Sequence, residues 1–316
     1  MEPAVAQEQV NKVVAHGREQ LAKVIVGQHE MIEQCLVALL TGGHVLLEGV
    51  PGVAKTLAVK TLSQLFQLSF QRIQCTSDLM PADIIGTNIL DQENRTFALH
   101  KGPIFGDLIL VDEVNRMPPR TQAALLEAME ERQITIDGKR YPLNPLFTVF
   151  ATQNPVDFEG TYPLPEAQLD RFLLKVLVPY PTEQEEQAIL ALYAKGGSAG
   201  TVEPLPADVL SAARAKVVDL NVQPDLVQYA VRLTRATRES PQLALGASPR
   251  ASLNLLYVGK AYAAMDGRDY VIPDDLKRAV LPVLRHRMML KPEAQLEGVT
   301  PDQVLTEVIK HVAVPR

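Results

Sequence analysis

The sequence predicts an α/β protein in which a parallel sheet with helices on both faces is followed by a smaller all-α domain. In the first half, short apolar runs such as 108–111 alternate with segments of helical period, which is typical of parallel strands buried on both faces. After Pro181 the pattern is almost entirely helical, so we place a domain boundary there and expect domains at 1–181 and 182–316.

The composition indicates an ordinary globular protein and excludes several classes. The 316 residues are 47% hydrophobic and 22% charged, which argues against a disordered chain. A net charge of −6 lacks the basic surplus of a dedicated nucleic-acid binder. Cys35 and Cys75 cannot form a disulfide framework and favour a cytoplasmic, reducing compartment. No apolar run approaches the roughly 18 residues of a membrane span, and the first residues do not resemble a signal peptide.

Hydrophobic period and turn residues define the elements of the first domain, because a period near 3.6 marks helices and short apolar runs mark buried strands. The predicted helices are Val5–Ile25, Met31–Leu40, Ala54–Phe66 and Gln122–Glu131, and the predicted strands are His44–Leu47, Phe70–Gln74, Leu108–Val111, Phe147–Phe150 and Leu173–Val178.

Two hairpins interrupt this rhythm as insertions. Asp137-Gly138 lies between alternating residues and is a strong hairpin signal, because a type I′ turn needs positive φ at both central positions. Gly86–Leu90 and Thr96–Leu99, on either side of the polar turn Gln92–Asn94, indicate a second and weaker hairpin.

The second domain is predicted to be helical apart from one loop, Gly196–Pro206. The basic cluster of Arg285–Arg287 with Lys291 is interpreted as a surface patch, since charged side chains are mostly exposed. The predicted helices are Glu183–Ala194, Ala207–Leu220, Pro224–Glu239, Pro249–Met265, Pro273–Leu284 and Pro301–Val312.

A phosphate-binding loop is predicted between the first strand and the helix after it. Residues 48–56 read EGVPGVAKT, so Ala54 replaces the last glycine of the usual G-x-x-x-x-G-K-[ST] pattern. Alanine adds one methyl group at a position that can be helical, so we expect the loop to form. Backbone N–H groups would hold the phosphates, Lys55 would neutralise their oxygens and Thr56 would ligate Mg²⁺. The alternative is a strand–helix turn that carries Lys-Thr by chance. The residues expected to bind nucleotide are Gly49, Val50, Pro51, Gly52, Val53, Ala54, Lys55, Thr56 and Leu57.

Two acids end the apolar run 108–111. Asp112 would hold Mg²⁺, and Glu113 would polarise the attacking water. Buried strands normally end in turn residues rather than in adjacent acids, which favours this functional interpretation. The alternative is a pair of solvated carboxylates after an edge strand.

Two further polar residues follow later strands. Asn154 can hydrogen-bond the γ-phosphate or the lytic water, and its alternative is an ordinary Asn-Pro turn. Arg171 can lie at a subunit edge, and its alternative is a surface pair with Asp170.

With these motifs in order, the chain resembles the AAA+ ATPases, and specifically the MoxR family. The phrases GVPGVAKT, LVDEVNRMPPRTQAALLEAMEER, ATQNP, YPLPEAQLDRF and GASPRA have the order and spacing of that family, in which alanine at position 54 is common. The resemblance extends from Val26 to the C-terminal helices. It implies an AAA+ P-loop core with a helical lid, ATP and Mg²⁺ as ligands, and ATP hydrolysis.

The resemblance also implies roles for single residues. Val26 and Gly27 would flank the adenine. Asn154 matches sensor 1. Arg171 matches the arginine finger, which reaches the nucleotide of a neighbouring subunit, and Arg250 matches sensor 2 in the lid; whether Arg250 acts in cis or in trans stays open. The two hairpins match the helix-2 insert and the hairpin before sensor 1. Lys55 and Thr56 would be the Walker A pair, and Asp112 and Glu113 the Walker B pair.

The family resemblance implies a ring, most often a hexamer, that works as a chaperone-like motor. Such motors remodel or mature protein complexes, including metal or cofactor insertion, with partners that carry a von Willebrand factor A domain. A nucleic-acid motor of the helix-2-insert clade is the alternative, and the charge of −6 with mixed charges at the hairpin tips disfavours it. A regulatory switch with negligible turnover is a third hypothesis, against which the presence of both Glu113 and Arg171 argues.

Overall fold

The computed structural model describes residues 3–91, 96–155, 160–194 and 200–315. The strands in chain order are β1 (Val45–Glu48), β2 (Phe70–Gln74), β3 (Gly86–Asp91), β4 (Thr96–Lys101), β5 (Leu108–Asp112), β6 (Gln133–Ile136), β7 (Lys139–Pro142), β8 (Thr148–Gln153), β9 (Leu174–Leu177), β10 (Leu243–Leu245) and β11 (Met289–Leu290). The helices are α1 (Pro3–Ala22), α2 (His29–Thr41), α3 (Lys55–Leu65), α4 (Pro81–Ile85), α5 (Pro119–Glu131), α6 (Glu166–Leu169), α7 (Glu183–Ala194), α8 (Ala207–Asp219), α9 (Pro224–Glu239), α10 (Pro249–Met265), α11 (Pro273–Leu284), α12 (Pro292–Leu296) and α13 (Pro301–His311).

The main sheet is parallel, with strand order β2-β5-β8-β1-β9. Its strands are apolar because both faces are covered. In β5, Leu108 and Leu110 pack in the cluster that contains α1, α2 and α3, whereas Ile109 and Val111 pack in the cluster that contains α5 and β6. The predicted parallel sheet with helices on both faces is therefore confirmed. The carboxyl ends of β1, β5 and β8 meet at one edge, which is where ligands bind in open α/β sheets.

Both predicted hairpins are present as two-stranded antiparallel sheets, β3–β4 and β6–β7, outside the main sheet. Asp137 has φ 50° and Gly138 has φ 78°, as the predicted turn requires. The Asn88 side-chain amide donates to the Asp137 carboxylate at 2.6 Å and ties one hairpin to the other. The polar turn 92–94 lies outside the described residues.

Each predicted helix after Pro181 is present, but the prediction of an all-helical region was wrong in one place. Strands β10 and β11 pair there, and Leu243, Leu290 and Val304 bury their side chains in a small cluster. Strands of three and two residues are too short to show an alternating pattern, so the sequence carries no sign of them. In the described part of the chain, no helix combines the length and apolarity that a membrane crossing needs.

The helical region packs on the α1 and α2 side of the sheet, through contacts of α8 with both helices and of α10 with α2. The interpretation of Arg285–Arg287 as a surface patch was wrong, because the side chains of this run are buried. Arg285 pairs with Asp302 at 2.9 Å and Arg287 pairs with Asp170 at 2.8 Å. Each buried guanidinium is thus paired with a carboxylate from another part of the sequence, which offsets the free-energy cost of burying its charge.

Candidate functional site

The phosphate loop runs from the end of β1 to the start of α3. Gly52 has φ 86° and Ala54 has φ 63°, so both lie in the left-handed region. The expectation that residue 54 is helical was wrong, although the loop does form. An L-residue in this conformation costs roughly 1–2 kcal/mol, which explains why glycine is usual at this position. Gly49 is required for a different reason, since a Cβ there would lie 2.5 Å from the Val178 carbonyl oxygen.

The Lys55 ammonium points into the phosphate loop. It donates to the carbonyl oxygens of Gly49 and of Val50, the latter at 3.0 Å. Burial lowers the pKa of Lys55, and the carboxylates of Asp112 and Glu113 partly oppose that shift. The loop therefore holds a cationic donor beside its own backbone, and the binding of phosphate by Lys55 stays a prediction.

The Asp112 carboxylate is the last side chain of β5 and is held on both oxygens. Oδ1 accepts a hydrogen bond from the Thr152 hydroxyl at 2.6 Å, and Oδ2 accepts one from Arg72 Nη2 at 2.7 Å. Thr152 lies on β8 and Arg72 on β2, the two strands that neighbour β5. The sequence reasoning missed both residues. Threonine at position 152, two residues before Asn154 in an apolar strand, is a signal that could have indicated the first.

Glu113 directly follows the last residue of β5. It has φ 58°, a conformation that is uncommon for residues other than glycine. Its backbone N–H donates to the Thr152 hydroxyl at 2.9 Å. Its carboxylate lies 3.4 Å from Arg116 Nη1 and 3.5 Å from Gln74 Nε2. Backbone strain of this kind concentrates at functional sites, where surrounding contacts hold it in place.

These elements enclose a cavity of about 400 Å³ at the carboxyl edge of the sheet. It brings together phosphate-loop residues and polar residues from the ends of three neighbouring strands. Thr56 and Asp112 both line it, and hydroxyl and carboxylate oxygens are ligands that Mg²⁺ accepts. The residues that line the cavity are Pro51, Gly52, Ala54, Lys55, Thr56, Leu57, Arg72, Gln74, Asp112, Glu113, Thr152 and Asn154.

Val26 and Gly27 are not among the residues that line this cavity. They precede α2, and the side chain of Glu185 from α7 lies against Gly27 where a Cβ would stand. The next residue, Gln28, donates from its side-chain amide to the Pro179 carbonyl at 2.9 Å. The adenine role of Val26 and Gly27 stays a prediction.

Arg171 and Arg250 line a second cavity, of about 270 Å³, which shares no lining residue with the first. The Arg250 guanidinium forms a fork with the Glu130 carboxylate, at 2.6 and 3.1 Å. Asp170 pairs with Arg287, so the alternative of a local pair between Asp170 and Arg171 is wrong. Within the described residues, the Arg171 guanidinium has no hydrogen-bond or ion-pair partner.

Comparisons with known proteins agree with this architecture. Residues 44–174 match a family model described as ATPase family associated with various cellular activities (AAA), and residues 235–308 match an AAA lid domain. A crystal structure of a Cytophaga hutchinsonii protein superposes with a TM-score of 0.90 and 39% identity, over 99% of this chain and 97% of that one.

Curated relatives cover most of the chain. The uncharacterized protein YeaC of Bacillus subtilis is 44% identical, over 98% of this chain and 97% of that protein. The chaperone MoxR1 of Mycobacterium tuberculosis is also 44% identical, over 94% of this chain and 81% of its own. Protein MoxR of Methylorubrum extorquens is 29% identical over 92% of each chain. The fold, the order of the motifs and these relatives together show that the chain belongs to the MoxR family of AAA+ ATPases.

Proposed function

We propose that this chain hydrolyses ATP in the presence of Mg²⁺, with the β- and γ-phosphates in the cavity at the carboxyl edge of the sheet. The observation that supports this most is the convergence of Lys55, Asp112, Glu113 and Asn154 on that one cavity. These residues are up to 99 positions apart in sequence, so a chance motif would not place them together.

Each side chain has a definite task in this proposal. Lys55, whose ammonium now donates to the phosphate-loop carbonyls of Gly49 and Val50, binds the phosphate oxygens. Glu113 accepts a hydrogen bond from the attacking water and orients it. Asn154 donates to the γ-phosphate or positions the same water. Thr56 and Asp112 would hold Mg²⁺, which when bound would neutralise charge on the phosphate oxygens.

We further propose that Arg171 and Arg250 act on the nucleotide of the next subunit in a ring, most often a hexamer. Their cavity is separate from the phosphate cavity of their own chain. Arg132 also lines this second cavity, which therefore holds more guanidinium groups than carboxylates. This charge balance favours the binding of an anionic group. This arrangement supports action in trans for both residues.

The biological role we propose is that of a chaperone-like motor that remodels or matures partner protein complexes. A relative with 44% identity carries the name chaperone, which supports this class. A partner with a von Willebrand factor A domain and the insertion of metals or cofactors belong to the same proposal. The boundary at Pro181 would separate the nucleotide-binding core, 1–181, from the lid, 182–316. We also propose a cytoplasmic location, which fits two cysteines that are both buried and unpaired.

The alternative, a nucleic-acid motor, is not favoured, because the net charge of −6 lacks a basic surplus.

The test combines two inactive variants. Arg171→Ala should bind ATP almost normally and lose most hydrolysis, because a charge-stabilising arginine is worth roughly 10³–10⁵ in rate, or about 4–7 kcal/mol of barrier. Mixing it with Lys55→Ala should recover turnover, because a Lys55→Ala subunit still offers Arg171 to an intact neighbouring site. Turnover is measured against mixing ratio at a fixed total concentration above that needed for assembly. Full activity of Arg171→Ala alone, or no recovery in mixed rings verified by mass, would contradict action in trans.

A further inference from the structure

We propose that Asp170 is a positioning residue, which the lid holds through Ser248 and Arg287 so that Arg171 and Arg250 keep a fixed spacing. The inference rests on the proposed function, in which both arginines serve the neighbouring site. It assigns a purpose to the contact of Asp170 with Ser248 and Arg287, which ATP binding within one subunit does not use.

The Asp170 carboxylate joins the two arginine-bearing segments directly. Oδ1 accepts from Arg287 Nε at 2.8 Å, and Oδ2 accepts from the Ser248 hydroxyl at 3.0 Å. Asp170 is the residue before Arg171, and Ser248 is two residues before Arg250. The Asp170 carboxylate therefore links the segment that carries Arg171 to the segment that carries Arg250.

The use of Ser248 is unusual for its place in the fold. It is the N-cap residue of α10, a position where a serine hydroxyl normally accepts a hydrogen bond from the helix backbone. No such capping bond is present at Ser248, whose hydroxyl donates to Asp170 instead. The Ser248 hydroxyl thus binds Asp170 rather than capping α10, and this bond holds the start of α10, which carries Arg250, against Asp170.

Arg287 fastens the other side of the segment. Its side chain is only 1% exposed, and its guanidinium donates to the carbonyl oxygens of Asp170, Phe172 and Leu173 as well as to the Asp170 carboxylate. His286 contacts the Phe172 carbonyl at 3.1 Å. The backbone on both sides of Arg171 is thus held by the lid, whereas the Arg171 guanidinium has no partner among the described residues. The direction of this guanidinium depends on that backbone, so a displacement of the lid would also move Arg171.

The experiment compares Ser248→Ala with two controls. Ser248→Thr keeps the hydroxyl. Ser211→Ala removes a lid serine whose hydroxyl, among the described residues, bonds within α8, to the Ala207 carbonyl at 3.1 Å. We expect Ser248→Ala to lower kcat about tenfold, the loss that one charge-assisted hydrogen bond can produce. We expect KM for ATP within about twofold of the wild type, because a group that acts only in the transition state changes kcat alone. Ser248→Thr should retain turnover.

Mixed rings show on which site the defect acts. Ser248→Ala subunits have intact phosphate loops, so Lys55→Ala neighbours with an intact Asp170–Ser248 contact should restore their turnover. Damage within the subunit's own site would not be restored in this way. The proposal is overturned if Ser248→Ala matches Ser211→Ala in kcat, if KM alone changes, if mixed rings show no recovery, or if the variant fails to assemble. Full activity of Arg171→Ala would instead contradict the proposed function, which keeps the two failures distinct.

Discussion

Replacing Thr152 by valine tests how the two acids at the end of β5 are held. The Thr152 hydroxyl donates to Asp112 and accepts from the Glu113 N–H, and the side chain is 2% exposed. Valine has nearly the same shape without the hydroxyl, so both hydrogen bonds disappear with little change in packing volume.

The expected magnitude follows from these two bonds. A hydrogen bond to a charged group contributes roughly 1.5–3 kcal/mol, and a buried N–H without a partner costs roughly 1–3 kcal/mol. Together they predict that Thr152→Val lowers the free energy of unfolding by about 2.5–6 kcal/mol. Thr152→Ser keeps the hydroxyl and removes one methyl group, so its expected loss is about 1 kcal/mol.

Urea unfolding and ATP turnover of the wild type and both variants check this reasoning. The hydrogen bond from the Glu113 N–H to the Thr152 hydroxyl helps to hold the Glu113 backbone at φ 58°. Without this bond we expect the backbone to relax and the Glu113 carboxylate to change position. We expect kcat of Thr152→Val to fall at least about tenfold below that of Thr152→Ser, a loss typical of a misplaced catalytic group. Equal stability of the two variants, or kcat values within a factor of two, would refute the argument.

Three further substitutions test the phosphate site. Lys55→Ala should abolish ATP binding in calorimetry while the circular dichroism spectrum stays unchanged. Unchanged ATP affinity would contradict the role of Lys55 in binding the phosphates. Glu113→Gln should keep ATP binding and slow hydrolysis strongly, because an amide cannot act as a base; turnover within a factor of two would contradict this. Ala54→Gly should raise the free energy of unfolding by about 0.5–1 kcal/mol, since relief of the left-handed strain exceeds the entropy cost of glycine. A lower thermal midpoint would show that residue 54 is not left-handed in solution.

The sequence predicted the residues whose position depends on the order of the strands. Lys55, Asp112, Glu113 and Asn154 all follow the carboxyl ends of apolar runs, and parallel strands bring such ends to one edge. The prediction thus needed only the recognition of buried strands and of the residue types that suit a phosphate site.

Residues that depend on distant pairings were not predictable in this way. Arg72 lies within β2, and its contact with Asp112 depends on which strand neighbours β5. Arg287 and Asp170 are 117 positions apart, and nothing in the local pattern distinguishes a buried arginine from a surface one. The left-handed conformation of Ala54 was missed because the position follows a loop and precedes a helix, so either conformation fits the sequence.

Two buried histidines make stability depend on pH in a predictable direction. His44 Nδ1 accepts from the Val149 N–H at 2.9 Å and Nε2 donates to the Met129 carbonyl at 3.1 Å, so the ring is neutral. Burial, with the charges of Arg132 and Arg214, lowers the pKa of His44 to about 3. Burial also lowers the pKa of His286 well below its usual value, helped by Arg287, Lys175 and Arg285.

Because the folded-state pKa of His44 lies below the unfolded value near 6.5, the unfolded chain binds more protons between these two values. The stabilising contribution of the neutral ring is complete above about pH 6.5 and declines as the pH falls. From pH 7 to pH 5 we expect a loss of about 2 kcal/mol from His44 alone. His44→Gln cannot titrate, so its unfolding free energy should change by about 2 kcal/mol less over the same interval, whatever its stability at pH 7. His311→Gln, which removes a histidine side chain that is 78% exposed, serves as the control substitution. Equal pH dependence of wild type and His44→Gln would show that His44 is not held neutral in the folded protein.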